Sequence, residues 1–514
     1  MTELEDAVRP SQWQRLSTRM LLVHPVKELL RFLPAVVGLL IAGTTRGNGQ
    51  QWWWGLVGAV VPILLGMLRW YTTRYRFTDA QVQLRHGLIS RTTLTAPMDR
   101  VRTVDVTASP LHRLLGLAEV RIGTAAAADE HQLTLDGLTT EQAAALRQDL
   151  LHRHREQTVG PAVGARPAGA APADQAAAYE PRAEEEIVRL DPRWIRFAPF
   201  GPSGVIAAAA IVGVGFQILN EAGFDPDENS AVQGGLDQAQ RVGVWVAVLL
   251  LAIAALVLIV LLSLGGYVLL YWGFRLTRHA AGGTLHVARG LLTTRATTLE
   301  ERRIRGVELQ EPLPLRSVSG ARLTAITTGL KGRDEDKALS SLLVPPAPAA
   351  VAKGVADRVL TAAGTLAVPL RPHGRAATRR RWTRALVGGV VLAVVVGGIG
   401  ALVHPVLVAF ALVPLVGAAL LAADRARALG HALTDRYLVS RSGSVLRATH
   451  VLERSGVIGV TVRRSFFQRR MGVATLTVAT AAGRQRYHVV DVRLQDSTDL
   501  AAALLPGHLE AFRR

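Results

Sequence analysis

The chain repeats one unit three times: a long apolar segment, a segment of short strands, and a short helix. The clearest copies are residues 77–126 and 433–482, which align without a gap at an offset of 356 and share 16 of 50 residues. A repeat of this length indicates that one supersecondary arrangement is built more than once. The sequence therefore predicts three apolar segments that alternate with three similar domains.

Long runs without a charged residue mark the apolar segments. About 20 apolar residues cross the hydrocarbon core of a bilayer, so the last run is long enough for two helices joined by a turn near Gly400 and His404-Pro405. The first run is short, and alone it fits either a buried core helix or a re-entrant segment, whereas the pattern of the other units favours a span. The runs are residues 32–45, 47–68, 197–220, 242–274 and 385–423. We predict six helices in three hairpins: about 28–45 with 52–71, 199–219 with 243–272, and 385–402 with 405–422.

Lysine and arginine accumulate on one side of these hairpins. They precede and follow each hairpin, whereas the loop at 220–241 inside the second hairpin carries five acidic residues. Because cytoplasmic flanks are enriched in Lys and Arg, both termini and all three domains are predicted to face the cytoplasm. No Asp, Glu, Lys or Arg lies inside the five apolar runs themselves, which counts against a transporter.

Composition limits the remaining options. Cysteine is absent, which excludes disulfides and thiolate metal sites. The formal net charge of +19 fits either attraction to an acidic surface or an arginine-rich composition combined with the topology signal. Basic patches interleaved with aromatic residues are missing, so nucleic acid is not an expected partner.

The segments after the hairpins read as all-β domains with one C-terminal helix. Short stretches alternate with period two and are separated by turn residues. Gly87, Gly290 and Gly443 occupy one equivalent turn, where a positive φ is expected. The C-terminal helices are predicted at about 139–155, 348–363 and 497–512, the first with a Thr139-x-x-Gln142 capping box.

Residues 99–125 carry a resemblance to a known family. The matching features are Arg100-Val101-x-x-Val104, Ser109-Pro110-Leu111-x-Arg113, Gly116 and Thr124. The second copy keeps Arg303-Ile304-x-x-Val307, Arg316 and, at the glycine position, Gly320. The third keeps Arg469 and Gly472 but has Gly456 in place of the first Arg and Phe466 in place of Pro.

These features resemble the bacterial pleckstrin-homology-like, or membrane-flanking, domain proteins, in the three-copy arrangement of the YdbT type. The resemblance implies a multi-pass α-helical membrane protein with PH-like cytosolic domains, each a seven-stranded sandwich or barrel capped by a C-terminal helix. It also implies a protein without an assigned reaction, and a complex with a smaller single-domain relative of the same family.

The predicted organisation follows from the spans, the domains and two linkers of biased composition. An Ala-, Pro- and Gly-rich stretch reads as disordered, and a shorter basic stretch precedes the third hairpin. The segments are a juxtamembrane stretch 1–27, hairpin 28–71, domain 72–156, disordered linker 157–186, juxtamembrane stretch 187–198, hairpin 199–272 with its acidic outer loop 220–241, domain 273–364, basic linker 365–384, hairpin 385–422 and domain 423–514.

Arginines are the candidate functional residues. Arg113, Arg316 and Arg469 each precede a glycine-bounded strand, where a cation could meet a phosphate or a partner carboxylate, or form a salt bridge inside the domain. Arg100 and Arg303 of the Arg-Val and Arg-Ile pairs are further candidate contacts. The run Arg379-Arg380-Arg381 either binds anionic lipid or acts only as a topology signal.

No constellation for catalysis is recognisable in the sequence. Walker, HExxH, GxSxG, dinucleotide and kinase motifs are missing, and the pairs His152/His154 and His279/His286 lack a third ligand. Asp79 and Asp435 follow a threonine in equivalent turns. We therefore predict no enzyme, cofactor or metal, but a non-catalytic membrane scaffold or adaptor whose three domains bind a protein partner or membrane lipid. The alternative is a component of an export or resistance system whose six helices take part in transport.

Overall fold

The computed structural model describes eleven stretches of the chain and a few single positions between them. The stretches are residues 13–20, 70–78, 81–86, 92–97, 101–124, 133–143, 185–201, 243–279, 283–328, 339–403 and 405–506. The predicted helices at 28–45 and 52–71, most of the helix at 199–219, the acidic loop and the disordered linker lie outside the described residues.

Short antiparallel strands dominate the segments between the apolar helices. They are β1 Gln14–Arg15, β2 Arg74–Phe77, β3 Gln81–His86, β4 Thr92–Pro97, β5 Val101–Ala108, β6 Leu117–Thr124, β7 Leu133–Thr139, β8 Glu185–Arg189, β9 Arg275–His279, β10 Thr284–Arg289, β11 Thr294–Glu300, β12 Ile304–Pro312, β13 Gly320–Thr327, β14 Leu342–Pro348, β15 Arg371–Pro372, β16 Gly430–Leu433, β17 Tyr437–Ser442, β18 Leu446–Glu453, β19 Val457–Arg463, β20 Val473–Thr480 and β21 Arg486–Arg493.

The helices are of three kinds: long apolar helices, short connecting helices and domain-closing helices. They are α1 Pro110–Leu114, α2 Val244–Tyr271, α3 Leu313–Ser317, α4 Ala349–Leu360, α5 Gly374–Val403, α6 Leu412–Ala428, α7 Phe466–Arg470 and α8 Leu494–Leu504. Short 3-10 helices cover Pro192–Phe200, Glu301–Arg303, Thr365–Ala367, Pro405–Ala411 and Arg454–Gly456.

Among the described residues, three helices are long and apolar enough to cross a membrane: Leu249–Tyr271, Gly374–Leu402 and Val408–Ala428. Their large side chains are exposed, for example Leu251 at 72% and Val394 at 68%. Such surfaces are stable only against an apolar environment. Gly389 of α5 lies so close to α6 that a Cβ there would be 2.4 Å from that of Ala418, the close approach that small residues permit between membrane helices.

Helix α5 begins earlier than the sequence predicts. The basic stretch 365–384 was expected to be a linker before the hairpin, but the helix already starts at Gly374. At its other end α5 stops at Val403, directly before the His404-Pro405 pair that the sequence marks as a turn. The chain continues as a 3-10 turn from Pro405 to Ala411 and then as α6.

A short strand before each predicted hairpin pairs with the first strand after it. Gln14 of β1 lies opposite Tyr75 of β2, and Arg371 of β15 lies opposite His431 of β16. β8 occupies the same place beside β9. Each predicted domain therefore contains seven strands: one before the hairpin, three that complete a first layer, and three that form a second layer.

The second layer of one predicted domain continues the first layer of the next in a single sheet. The strand orders are β1-β2-β3-β4, β7-β6-β5-β11-β10-β9-β8, β14-β13-β12-β18-β17-β16-β15 and β19-β20-β21. β5 thus pairs with β11, and β12 pairs with β18. This differs from the three self-contained domains that the sequence predicts.

The division of the chain into two units follows from this edge pairing. One unit comprises residues 1–186, 277–300 and 329–340, and the other 187–276, 301–328 and 341–514. The strands of the segment 273–364 are consequently divided: β10 and β11 belong to the first unit, and β12–β14 to the second.

Each unit has its own apolar core. In the first unit, Val82, Val120 and Leu135 are fully buried among neighbours from both layers. In the second, Leu438, Leu476 and Val489 are packed beneath Leu500 of α8. At about 25 cal/mol per Å² of buried apolar surface, such contacts are the main favourable term for each unit.

Left-handed residues fix the turns. Gly290 has φ +107° and Gly443 φ +97°, and a Cβ at either would lie within about 2 Å of a backbone oxygen, so the positive φ predicted at these turns is confirmed. Gly87 lies outside the described residues. After the short helices, Gly116 and Gly472 are left-handed, and the matching residue of the second copy is Ser319 at φ +58°. The sequence alignment placed Gly320 there, one residue too far along the chain.

The predicted capping box at the start of the first C-terminal helix is confirmed. The backbone N–H of Gln142 donates to Oγ1 of Thr139 at 3.2 Å, and the N–H of Thr139 donates to Oε1 of Gln142 at 3.1 Å. This reciprocal pair satisfies two N–H groups that a helix N-terminus leaves unpaired.

Candidate anion-binding site at the base of the third hairpin

A pocket of about 400 Å³ lies where the first turns of α5 meet the end of α6. Arg375, Thr378 and Arg379 of α5 line one side, and Ala426 and Leu429 line the other. These residues are close because α5 and α6 pack side by side. The pocket therefore combines a basic wall with an apolar wall.

The basic wall is open to solvent. Arg375 and Arg379 are exposed and lie four residues apart, hence on one face of the helix. Among the described residues neither guanidinium has a carboxylate partner. A third guanidinium is nearby, because a Cβ on Gly374 would lie 2.8 Å from Nη2 of Arg493. The N-terminus of α5 adds a partial positive charge, so the arrangement favours an anion.

A buried pair of histidines, His373 and His431, lies beside the pocket. Nε2 of His373 lies 2.9 Å from Nδ1 of His431, and Nδ1 of His373 lies 2.8 Å from the carbonyl of Val490. Burial, together with the neighbouring His431, lowers the pKa of His373 to about 4. Burial also lowers the pKa of His431. At neutral pH both rings are therefore neutral, with Nδ1–H of His373 donating to Val490.

The other two residues of the arginine run are used inside the protein. Arg380 is buried and forms an ion pair with Oδ1 of Asp491, and Nη2 of Arg381 lies 2.7 Å from Oδ2 of the same carboxylate. Nε2 of Gln468 also donates to Oδ1 of Asp491, at 2.8 Å. The Asp491 side chain is fully buried. Of the three candidate lipid contacts, only Arg379 faces solvent.

A second carboxylate anchors the end of α6. Oδ2 of Asp424 accepts from Arg316 at 2.9 Å and from Ser444 at 2.8 Å, and its Oδ1 accepts from Arg447 at 2.7 Å. Arg316 was predicted to contact a ligand or to form a salt bridge inside its own domain; it pairs instead with a carboxylate of the next predicted segment, 423–514. The network ties α3 and the β17–β18 turn to the base of the hairpin.

The remaining predicted arginines do not gather at one site. Nη1 of Arg113 donates to the carbonyl of Leu291. Arg469 is exposed on α7, and Arg303 is half-buried in the 3-10 turn before β12. Arg100 lies outside the described residues.

Ser109, His112 and Asp136 form a chain of hydrogen bonds that superficially resembles a catalytic triad. His112 lies 2.5 Å from Oγ of Ser109 and 2.9 Å from Oδ1 of Asp136. Its ring is 1% exposed, and Ser109 is the N-cap of α1. In the third copy Gln468 replaces the histidine and still joins the Ser465 cap to a buried aspartate. Because glutamine cannot act as a base, the shared role is to cap the short helix.

Sequence reasoning missed Asp424 and Asp491. Asp424 is the first charged residue after the long apolar run 385–423, a position where a carboxylate among arginines signals an ion pair. Asp491 follows two valines in β21, so its position in a buried strand was a signal as well. Neither pattern identifies the partners, of which Arg316 and Arg380 lie about 110 residues from Asp424 and Asp491, respectively.

Comparison with known proteins bears on the strand-rich segments. The family model described as "Bacterial PH domain" matches residues 28–154 and 385–507, each a predicted hairpin together with the strands and the predicted closing helix that follow. No curated protein and no solved structure is significantly similar to the chain. The matched regions contain Arg113 and Arg469, whereas the pocket residue Arg379 lies six residues before the second region. The match supports PH-like domains in these two regions of the chain.

Proposed function

We propose that this chain is a non-catalytic adaptor in the bacterial cell membrane that binds an anionic lipid headgroup at the base of its third hairpin. PH-like domains suggest a role in binding lipid or protein. The observation that carries the proposal is the basic pocket, which lies on the same helix as an apolar segment long enough to span a bilayer.

The position of the pocket along α5 suits a headgroup. The apolar part of the helix follows Arg384, and Arg379 lies five residues before it. At 1.5 Å per residue the Cα atoms are about 8 Å apart along the helix axis. The polar layer on each side of a bilayer is about 5–8 Å thick, which brings Arg379 to its outer edge and Arg375 just beyond.

The chemistry of the pocket favours a phosphate. Guanidinium groups pair well with phosphate oxygens, and the helix N-terminus offers unpaired N–H groups. The apolar wall of Ala426 and Leu429 suits the glycerol part of a lipid rather than a fully hydrated ion. Each basic residue near an anionic membrane contributes about 1 kcal/mol.

A matched pair of variants tests the proposal. Arg375→Gln with Arg379→Gln removes the basic wall, whereas Arg425→Gln with Arg427→Gln removes two exposed charges at the end of α6 outside the pocket. The full-length protein in detergent is titrated with short-chain phosphatidylglycerol. We expect the first variant to weaken binding about 30-fold, the equivalent of about 2 kcal/mol. Equal weakening by both variants would show that the pocket is not the site.

Sidedness has a separate test, because the chain contains no cysteine. Leu292, beside the Gly290 turn, is 52% exposed, so Leu292→Cys offers a reporter. We expect a membrane-impermeant maleimide to label it only after the cells are permeabilised. Labelling in intact cells would place this domain outside and contradict the proposed orientation.

A further inference from the structure

Two sheet edges of this chain lack the partner that the equivalent edges have elsewhere in the molecule, and we infer that they join one copy to the next. β19 of one copy pairs with β4 of a second copy, head to tail, in the register that the chain already uses twice.

The two internal junctions share one register. In the first, Asp105 of β5 lies opposite Thr297 of β11, and in the second, Glu308 of β12 lies opposite His450 of β18. Asp105 and Glu308 each stand 11 residues before the left-handed residue that follows the short helix. Thr297 and His450 each stand seven residues after the turn glycine. The junction is thus a repeated interface and not an accident of one sheet.

The third copy of each edge is open. Among the described residues β4 pairs only with β3, and β19 only with β20. The same counting places Thr461 of β19 opposite Leu94 of β4. An unpaired edge presents free N–H and C=O groups and pairs readily with another strand unless charges or proline block it. Within β19 the only charged residue is the last one, Arg463.

Exposure at matched positions shows what a partner would cover. Leu309 of β12 and Val462 of β19 stand at the same register position, and Leu309 is 2% exposed beside β18, whereas Val462 is 38% exposed. Ile458 is 68% exposed on the same strand. The open strand β19 therefore carries an apolar residue where the covered strand β12 does, but no neighbouring strand among the described residues covers it.

The short helix beside the edge is uncovered as well. In the first copy Arg113 of α1 donates to Leu291 in the turn of the following layer, and in the second the N–H of Leu313 donates to Val445 in the equivalent turn. In the third copy no following layer is present among the described residues. Phe466 and Phe467 of α7 are 66% and 67% exposed. The missing element is a first layer with its turn, which is what the β4 end of a second copy supplies.

The occupant is a second copy because the chain carries both halves of the junction, one at each end. Joining different surfaces head to tail gives a heterologous interface, which closes into a ring or continues as an open array. All three hairpins have the same predicted orientation, so further copies can be added within one bilayer.

Crosslinking in the native membrane tests the inference. Two tagged versions of the full-length chain are co-expressed, one with Leu94→Cys and the other with Thr461→Cys, and treated with a short bis-maleimide. We expect a crosslinked dimer that carries both tags. Thr498→Cys, exposed on α8, replaces Thr461→Cys as the control and is expected to give none. Val462→Lys, added to the Thr461→Cys chain, should abolish the dimer because it places a charge in the junction.

Each other outcome overturns the inference. A dimer of two Thr461→Cys chains would indicate a symmetric contact between β19 strands. A crosslink only within one chain that carries both cysteines would indicate closure inside the monomer. If no combination gives a crosslink, while an unchanged unfolding temperature shows that the variants are folded, the edges are not used. A crosslink from β19 to a different protein would assign the edge to that partner.

Discussion

Arginines on the first three turns of α5 serve two different ends. Arg380 and Arg381 turn inward and share the buried carboxylate of Asp491, whereas Arg375 and Arg379 remain in solvent beside the pocket. In sequence these residues form one basic stretch. The helix separates them because neighbours along it point in different directions, and only one face meets β21. Charge density in a sequence therefore does not measure the charge available to a ligand.

The largest expected loss of stability comes from changing Asp491, the partner of the inward-facing Arg380 and Arg381. Asp491→Asn keeps a side chain that tolerates the left-handed backbone, φ +59°, and removes only the charge. Arg380 and Arg381 then stay buried without a counter-ion. Removing one partner of a buried pair costs about 3–5 kcal/mol. Thermal unfolding of the full-length protein in detergent measures the loss, and a variant as stable as the parent would contradict the structural role of the pair.

The next largest loss of stability should come from lowering the pH, through His373. The folded pKa of His373 is lowered to about 4 from a usual value of 6.5, so between these values the unfolded chain binds more protons. Stability from this group is present above pH 6.5 and is lost as the pH falls towards 4. From pH 7 to pH 4.5 we expect a loss of about 2 kcal/mol from this residue. His373→Gln should flatten the profile of unfolding temperature against pH, and an unchanged profile would exclude His373.

A smaller loss of stability is expected from changing Asp424, whose side chain is partly exposed to solvent. Asp424 is 25% exposed, and its three hydrogen bonds from Arg316, Arg447 and Ser444 are correspondingly weaker. Asp424→Asn should lower the free energy of unfolding by about 1–2 kcal/mol, since it removes the charge from two ionic hydrogen bonds. The comparison with Asp491→Asn in the same assay is the decisive readout. If Asp424→Asn were the more damaging, the ranking by burial would be wrong.

Substitutions of the outward-facing arginines should hardly change the free energy of unfolding. Substituting Gln for Arg375 and Arg379 changes exposed side chains, for which shifts within about 0.5 kcal/mol are usual. The two faces would then separate cleanly: inward substitutions change unfolding, and outward substitutions change lipid affinity. A large loss of stability from the outward pair would mean that these arginines have a structural partner after all.

The sequence predicted the helices and turns better than the pairing of strands. It placed an apolar helix at 243–272, and α2 covers Val244–Tyr271. Turn glycines such as Gly290 were predictable because a positive φ is a local requirement. Pairing of β12 with β18 was not, because alternation in a strand tells which face is buried but not which strand lies at its edge.

The candidate site was predictable only in part. The basic stretch was evident, and Arg379 was singled out. What remained hidden is the distribution of its charges, which depends on Asp491 more than 100 residues away. Ser319 stands where the other two copies have a glycine. The sequence did not reveal this, because a serine in a left-handed position has no sequence signature.

Sharing a sheet between successive segments sets an order of assembly during synthesis. β5 has to wait for β11, about 190 residues later, and β12 has to wait for β18, about 130 residues later. At about 5–20 residues per second the second interval lasts roughly 7–27 s. During that interval the third hairpin is made while the β12 edge stays unpaired. A slow step in the folding of that hairpin would therefore prolong the time during which β12 can pair with a wrong strand. Premature termination before β18 would leave an aggregation-prone fragment.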